Sequence, residues 1–177
     1  MCPREGIYED QLFKQQVIEA VQKRDPRPLF FFWALHIVHA PLQVPKVNLD
    51  KFAAVRDWRR RRYLAMVNYM DDAIADVIHA MKTQQMYDES LIVFSADNGG
   101  PIYKGGAAAA NNWPLRGGKA SNFEGGIRVN AWVSGGAVPA EMRGKKLTGL
   151  MTIWDWYLPA YNIQWHSYIH VLHANST

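Results

Sequence analysis

Apolar positions recur at helical spacing in two stretches of the chain and run almost unbroken through two shorter ones. From Tyr8 to Arg24, Phe13, Val17, Ala20 and Val21 fall on one face, which predicts an amphipathic helix ended by Asp25-Pro26-Arg27-Pro28. Leu29 to Leu35 is continuously apolar and short, the pattern of a strand buried on both faces. Pro41 and Pro45 mark the loop after it. Trp58 to Lys82 then carries the longest helical period, with Tyr63, Met66, Val67, Met70, Ile74, Val77, Ile78 and Met81 forming one stripe. After Asp88-Glu89-Ser90, Leu91 to Ser95 reads as a second buried strand, and Ile127 to Val133 as a third.

Strand, helix and strand in that order predict parallel strands joined by a right-handed crossover, within an α/β sheet flanked by helices. Ligands in such sheets bind beyond the carboxyl ends of the strands. Two polar clusters hold that position here: His36 to His39 after the first strand, and Asp97-Asn98-Gly99-Gly100 after the second. A glycine-rich loop runs from Gly99 to about Gly118, with the low-complexity patch Ala107 to Ala110 inside it. Residues 160–177 show no clear period and are left unassigned.

Composition narrows the class without choosing a partner. The 177 residues are 49% hydrophobic and 20% charged, enough to bury a core and unlike a disordered or disulfide-rich chain. A net charge of +4 neither requires nor excludes an anionic ligand. The single cysteine, Cys2, allows no intrachain disulfide. No apolar run follows the charges near Met1, so no secretory signal is predicted, and no run is long enough for a membrane span. Localisation stays unassigned on this ground.

Chemistry gathers on few residues. Asp97 and Asn98 offer the oxygen donors that hard cations take, although Asp-Asn-Gly-Gly also makes an ordinary turn. His39 can bind an anion or move a proton. His36-x-x-His39 lacks the helical His-Glu-x-x-His pattern and a third ligand for zinc. Lys119, after Gly117 and Gly118, can meet a phosphate or sulfate oxygen as a point charge, but its surroundings lack P-loop spacing. Arg56 and Arg59 to Arg62 form the densest charge run. The run opens a helix with no stacking platform beside it, so a solvated helix face is preferred to a nucleic-acid surface. Asn175-Ser176-Thr177 matches a glycosylation acceptor.

In combination these stretches resemble the sulfatase family, most closely its arylsulfatase B branch. The resemblance is carried by Ala34-Leu35-His36-Ile37-Val38-His39-Ala40-Pro41-Leu42-Gln43-Val44-Pro45 and by Phe94-Ser95-Ala96-Asp97-Asn98-Gly99-Gly100. Asn111-Asn112-Trp113-Pro114-Leu115-Arg116-Gly117-Gly118-Lys119 follows, leading into Phe123-Glu124-Gly125-Gly126-Ile127-Arg128. The helix around Met66, Met70 and Asp71, and Trp154-Asp155-Trp156-Tyr157-Leu158-Pro159, fit the same order. The resemblance implies an alkaline-phosphatase-like α/β fold of mostly parallel strands flanked by helices, with its N-terminal portion missing. It implies a partial catalytic domain over residues 1–159 and a divergent tail over 160–177. It also implies hydrolysis of sulfate esters, on a sulfated small molecule or glycan, with one bound Ca²⁺. Asp97 and Asn98 would be calcium ligands. His39 and Lys119 would bind sulfate oxygens and assist the leaving oxygen. No nucleic-acid partner is implied, and the family is typically lysosomal or secreted.

The departures shape what this chain alone is expected to do. The family's nucleophile is a formylglycine made from a cysteine in Cys-x-Pro-Ser-Arg or Cys-x-Ala-Ser-Arg. Cys2-Pro3-Arg4 has neither the spacing nor the distance from His39. The paired aspartates that complete the calcium site and the Lys-x-His element are also absent. A truncated chain or a decayed copy accounts for these differences. The alternatives to a hydrolase inactive alone are a catalytically dead sulfate- or glycan-binding remnant and another phospho- or sulfohydrolase of the same superfamily.

Overall fold

A computed structural model describes residues 6–23, 25, 27–102, 109–156 and 169–172. Helix α1 spans Glu9–Gln22, within the predicted stretch. No side chain caps it, but Glu9 and Asp10 place negative charge in its first turn, where the helix dipole favours it. Val17 and Val21 are buried as their spacing requires, and Asp10 is buried with them.

Strand β1, Phe30–Trp33, is the apolar run. It is not buried on both faces as expected, because Phe32 remains 53% exposed. The chain then turns through His36–His39, closed by the His39 N–H donating to the His36 carbonyl at 3.2 Å. Ile37 and Leu42 drop from this turn into a core with Met66, Tyr69 and Ala73. Each such side chain withdrawn from water contributes on the order of 1.5–3 kcal/mol, so the turn is anchored from below.

A short helix, α2 (Lys46–Asp50), leads to α3, Trp58–Thr83. Asp57 caps α3 by accepting the Arg60 N–H at 2.7 Å. One side of α3 meets α1: Tyr8 packs edge-on to Tyr69 at 5.0 Å, and Lys14 pairs with Asp76 at 2.6 Å. Of the predicted stripe, Met66 and Val77 are buried, while Val67, Ile74, Ile78 and Met81 are half-buried along a large open cleft bordered also by residues of β1 and of strand β2, Ile92–Ser95. That cleft has a volume of about 2390 Å³ and an apolar lining, well beyond the few hundred to a thousand cubic ångströms typical of small-molecule sites. It is a gap between sheets.

The strand pairing departs from the simplest expectation. Strands β1 and β2 are not hydrogen-bonded neighbours among the described residues. Instead β1 pairs in parallel with β4, Ile169–Leu172, from the segment that carried no period. Strand β2 pairs antiparallel with β3, Ala131–Ser134, and Phe94 stacks on Trp132 at 5.3 Å. The third strand therefore starts later than predicted. Ile127 ends a helical turn, α4 (Glu124–Ile127), because the Ile127 and Arg128 N–H groups donate back to Phe123 and Glu124. Val93, expected to be buried, is 43% exposed. No helix among the described residues is long and apolar enough to cross a membrane.

Candidate functional site

Three loops converge beyond the strand ends, and backbone contacts without side chains in the way let them do so. The Gly99 N–H donates to the Gly126 carbonyl at 2.9 Å. A Cβ on Gly99 would stand 1.7 Å from the Gly125 oxygen, so only glycine fits between the Asp97–Gly100 loop and α4. Asn112 ties the same loop to a third: its Oδ1 accepts from the Gly100 N–H at 2.9 Å, and its Nδ2 donates to the carbonyls of Gly100 and Gly117 at 2.8 and 3.1 Å. In the sequence Asn112 stands out only as part of the Asn111–Lys119 stretch. Its role as the staple was hidden because both of its partner loops are distant or irregular.

This stapling sets Lys119. Its backbone N–H donates to the Gly100 carbonyl at 3.1 Å, and its Nζ reaches the Nε2 of His39 at 3.1 Å, bridging 80 residues of sequence. On the other side of the imidazole, the His39 Nδ1 lies 2.8 Å from the Ala40 carbonyl. A carbonyl can only accept, so Nδ1 carries the proton and Nε2 presents a lone pair to the lysine ammonium. His39 and Asp97 border the same cleft.

His36 takes no part. Its Nδ1 pairs with Glu9 Oε2 at 3.0 Å and its ring stands edge-on to Phe13, which ties it to α1 and away from His39. A zinc site from the two histidines is thereby set aside. Below this turn, Asp10 is buried to 4% exposure with one carboxylate oxygen lacking a hydrogen-bond partner. Burial pushes its carboxyl above the usual range, against the opposing pull of the Tyr8 hydroxyl, the His36 charge and the Ile37 N–H. Tyr69 is likewise pushed up to about 12, mainly by burial and further by Asp10 and Asp76.

Asp97 and Asn98 are adjacent but few. The Asp97 Oδ1 accepts the Asn98 N–H at 2.7 Å, and the Asn98 Nδ2 donates to the Gly99 carbonyl at 2.9 Å. The second Asp97 oxygen and the Asn98 Oδ1 are left over, and both are hard donors suited to a cation such as Ca²⁺. Among the described residues no group of three or more His, Cys, Asp or Glu side chains could hold a metal ion. The donors present match calcium in kind and fall short of it in number. Cys2 lies outside the described residues.

The family model described as "Sulfatase" matches residues 1–156. Arylsulfatase J of Mus musculus is 39% identical over 153 residues, which covers 86% of this chain and 25% of that protein. N-acetylgalactosamine-6-sulfatase of Homo sapiens is 30% identical over 123 residues, covering 68% of this chain and 22% of that protein. Among solved structures, Ps i-CgsB in complex with k-i-k-neocarrahexaose superposes with a TM-score of 0.69 at 31% identity, covering 75% of this chain and 29% of that one. The chain thus spans about a quarter of the length of the relatives it matches. With that proportion, and with the alkaline-phosphatase-like α/β fold common to them, the chain belongs to the sulfatase family.

Proposed function

We propose that the chain supplies the anion-binding half of a sulfuric ester hydrolase site, in which Lys119 and His39 hold the sulfuryl group. The observation that carries this reading is the 3.1 Å approach of the lysine ammonium to the imidazole Nε2. A sulfate oxygen arriving between them can accept from the ammonium. The imidazole lone pair, freed from the lysine, can take up a proton and return it to the departing ester oxygen. Positive donors aimed where charge gathers on the sulfuryl and leaving oxygens stabilise the transition state more than the ground state.

Asp97 and Asn98 would hold part of the coordination shell of a Ca²⁺ ion, whose positive charge would draw sulfate oxygens into the site when bound. The names of the relatives point to sulfated sugars and aryl sulfates as the substrate class. The covalent step needs a nucleophile, and the Cys2-Pro3-Arg4 stretch lacks the pattern from which formylglycine is made. The sequence therefore favours binding without turnover by this chain alone.

Calorimetric titration of the purified chain with inorganic sulfate tests the reading. Binding that is lost in Lys119→Met and weakened in His39→Ala is the expected result. Sulfate affinity indifferent to both substitutions removes the assignment.

A further inference from the structure

The arginine run at the start of α3 has a geometry that its sequence did not disclose. Trp58 is 55% exposed, and two guanidinium groups stand over its ring: Arg59 at 5.3 Å and Arg62 at 5.1 Å from the centroid. Arg60 and Arg61 belong to the fold. Arg60 donates to the Ala109 carbonyl at 2.9 Å, and Arg61 donates to the Leu49 carbonyl at 3.3 Å and lies near Asp50. Arg56, Arg59 and Arg62 are exposed and meet no carboxylate among the described residues. The nearest acid in sequence, Asp57, is committed to capping the helix. Arg59 and Arg62 are thus uncompensated cations in the first turns of α3, both steadied on an indole, and Arg56 stands exposed just before the helix cap.

The patch is also tied to the candidate site. The Arg60–Ala109 bond joins it to the loop whose Asn112 staples Gly100 to Gly117 beside Lys119. We infer that Trp58, Arg59 and Arg62, with Arg56, form an accessory subsite for the sulfate groups of a sulfated glycan chain, apart from the sulfate held at Lys119 and His39. This rests on the reading of that pair as a sulfate site. A guanidinium presents a planar fork that meets two sulfate oxygens at once, and stacking on Trp58 restricts the side chain before binding, so less freedom is lost when the anion arrives. A nucleic acid is the poorer fit. Base stacking needs an open aromatic face, and the Trp58 ring already carries guanidinium groups.

The test measures binding of the full chain to a chondroitin 6-sulfate hexasaccharide, to its desulfated counterpart, to inorganic sulfate, and to a single-stranded oligonucleotide of matched charge. Arg59→Gln with Arg62→Gln is expected to weaken the hexasaccharide roughly tenfold, the effect of losing two partly exposed ion pairs. The part of the inorganic sulfate affinity that Lys119→Met removes should not change. Arg59→Lys with Arg62→Lys preserves charge and helix and should still lose part of the affinity, because the forks are gone. Hexasaccharide affinity unchanged in the glutamine pair overturns the subsite, as does equal binding of the desulfated sugar or tighter binding of the oligonucleotide. Loss of inorganic sulfate binding on Lys119→Met, measured alongside, shows separately whether the primary site stands.

Discussion

The imidazole of His39 and the ammonium of Lys119 meet at 3.1 Å although 80 residues separate them, and the Ala40 carbonyl fixes which imidazole nitrogen faces the lysine. The lysine side chain and the imidazole in contact put two nitrogen groups able to engage oxygen side by side. On the proposed reading this pair holds a sulfate ester and supplies no group to attack it.

The isolated chain is accordingly expected to release no phenol from a chromogenic aryl sulfate, even after exposure to the enzyme that makes formylglycine. Without a covalent nucleophile, positioning leaves a slow ester nearly as slow as in water. Turnover abolished by Lys119→Ala and His39→Ala but untouched by Cys2→Ala would reveal a nucleophile elsewhere.

Calcium should bind weakly. Asp97 and Asn98 leave two oxygens free, and one carboxylate charge, where the ion takes about 6–8 ligands. Titration calorimetry should find no submicromolar site, and Asp97→Asn should remove whatever affinity exists. Submicromolar binding that survives Asp97→Asn would place the ion elsewhere.

Asp10 sets a pH dependence. Its carboxyl is raised in the folded chain by burial, so the folded state holds the proton more tightly than the unfolded one. The cost of ionising it is absent below the unfolded value of about 4 and complete above the raised folded value. Asp10→Asn should therefore stabilise the chain at pH 7, with the advantage shrinking as pH falls toward 4. Urea melts at the two pH values measure it, and an equal effect at both would mean that the carboxyl is not perturbed.

The end of α3 offers a gain in stability remote from the site. The Met86 N–H donates to the Met81 carbonyl and the Gln85 N–H to the Lys82 carbonyl, the paired bonds of a Schellman stop, and Gln85 adopts φ of +57°. Glycine takes that conformation without a Cβ clash, so Gln85→Gly should stabilise by about 1 kcal/mol. A melting temperature unchanged or lowered by this substitution would contradict the account.

How far the sequence could be read depended on the range of the interaction concerned. Both long helices were legible because 3.6-residue periodicity is local, and α3 ran within a residue of its predicted ends. His39, Asp97, Asn98 and Lys119 were legible as chemistry after strand ends and glycines. Their common location depends on the Gly99–Gly126 approach and the Asn112 staple, contacts for which no short-range pattern exists. Strand partners were the least legible. An apolar run such as Phe30 to Trp33 states that it will be covered and says nothing of what covers it. Ile127 misled because alternation of apolar residues overlapped a helical turn built on Phe123 and Glu124.

The cleft between the sheets has a thermodynamic signature. Val67, Ile74, Ile78 and Met81 of α3, with Phe32 and Val93 of the strands, border this cleft and keep part of their surface in contact with solvent while the chain is folded, whereas Met66 and Val77 are buried. Surface already wet cannot be newly wetted on denaturation. The heat-capacity increment should consequently fall below the ~12–15 cal/mol/K per residue of well-buried domains, and the urea m-value should fall below that of an ordinary domain of this length. The dome of stability against temperature then becomes shallow and broad, so that this chain would lose its structure gradually on warming, with no single sharp transition.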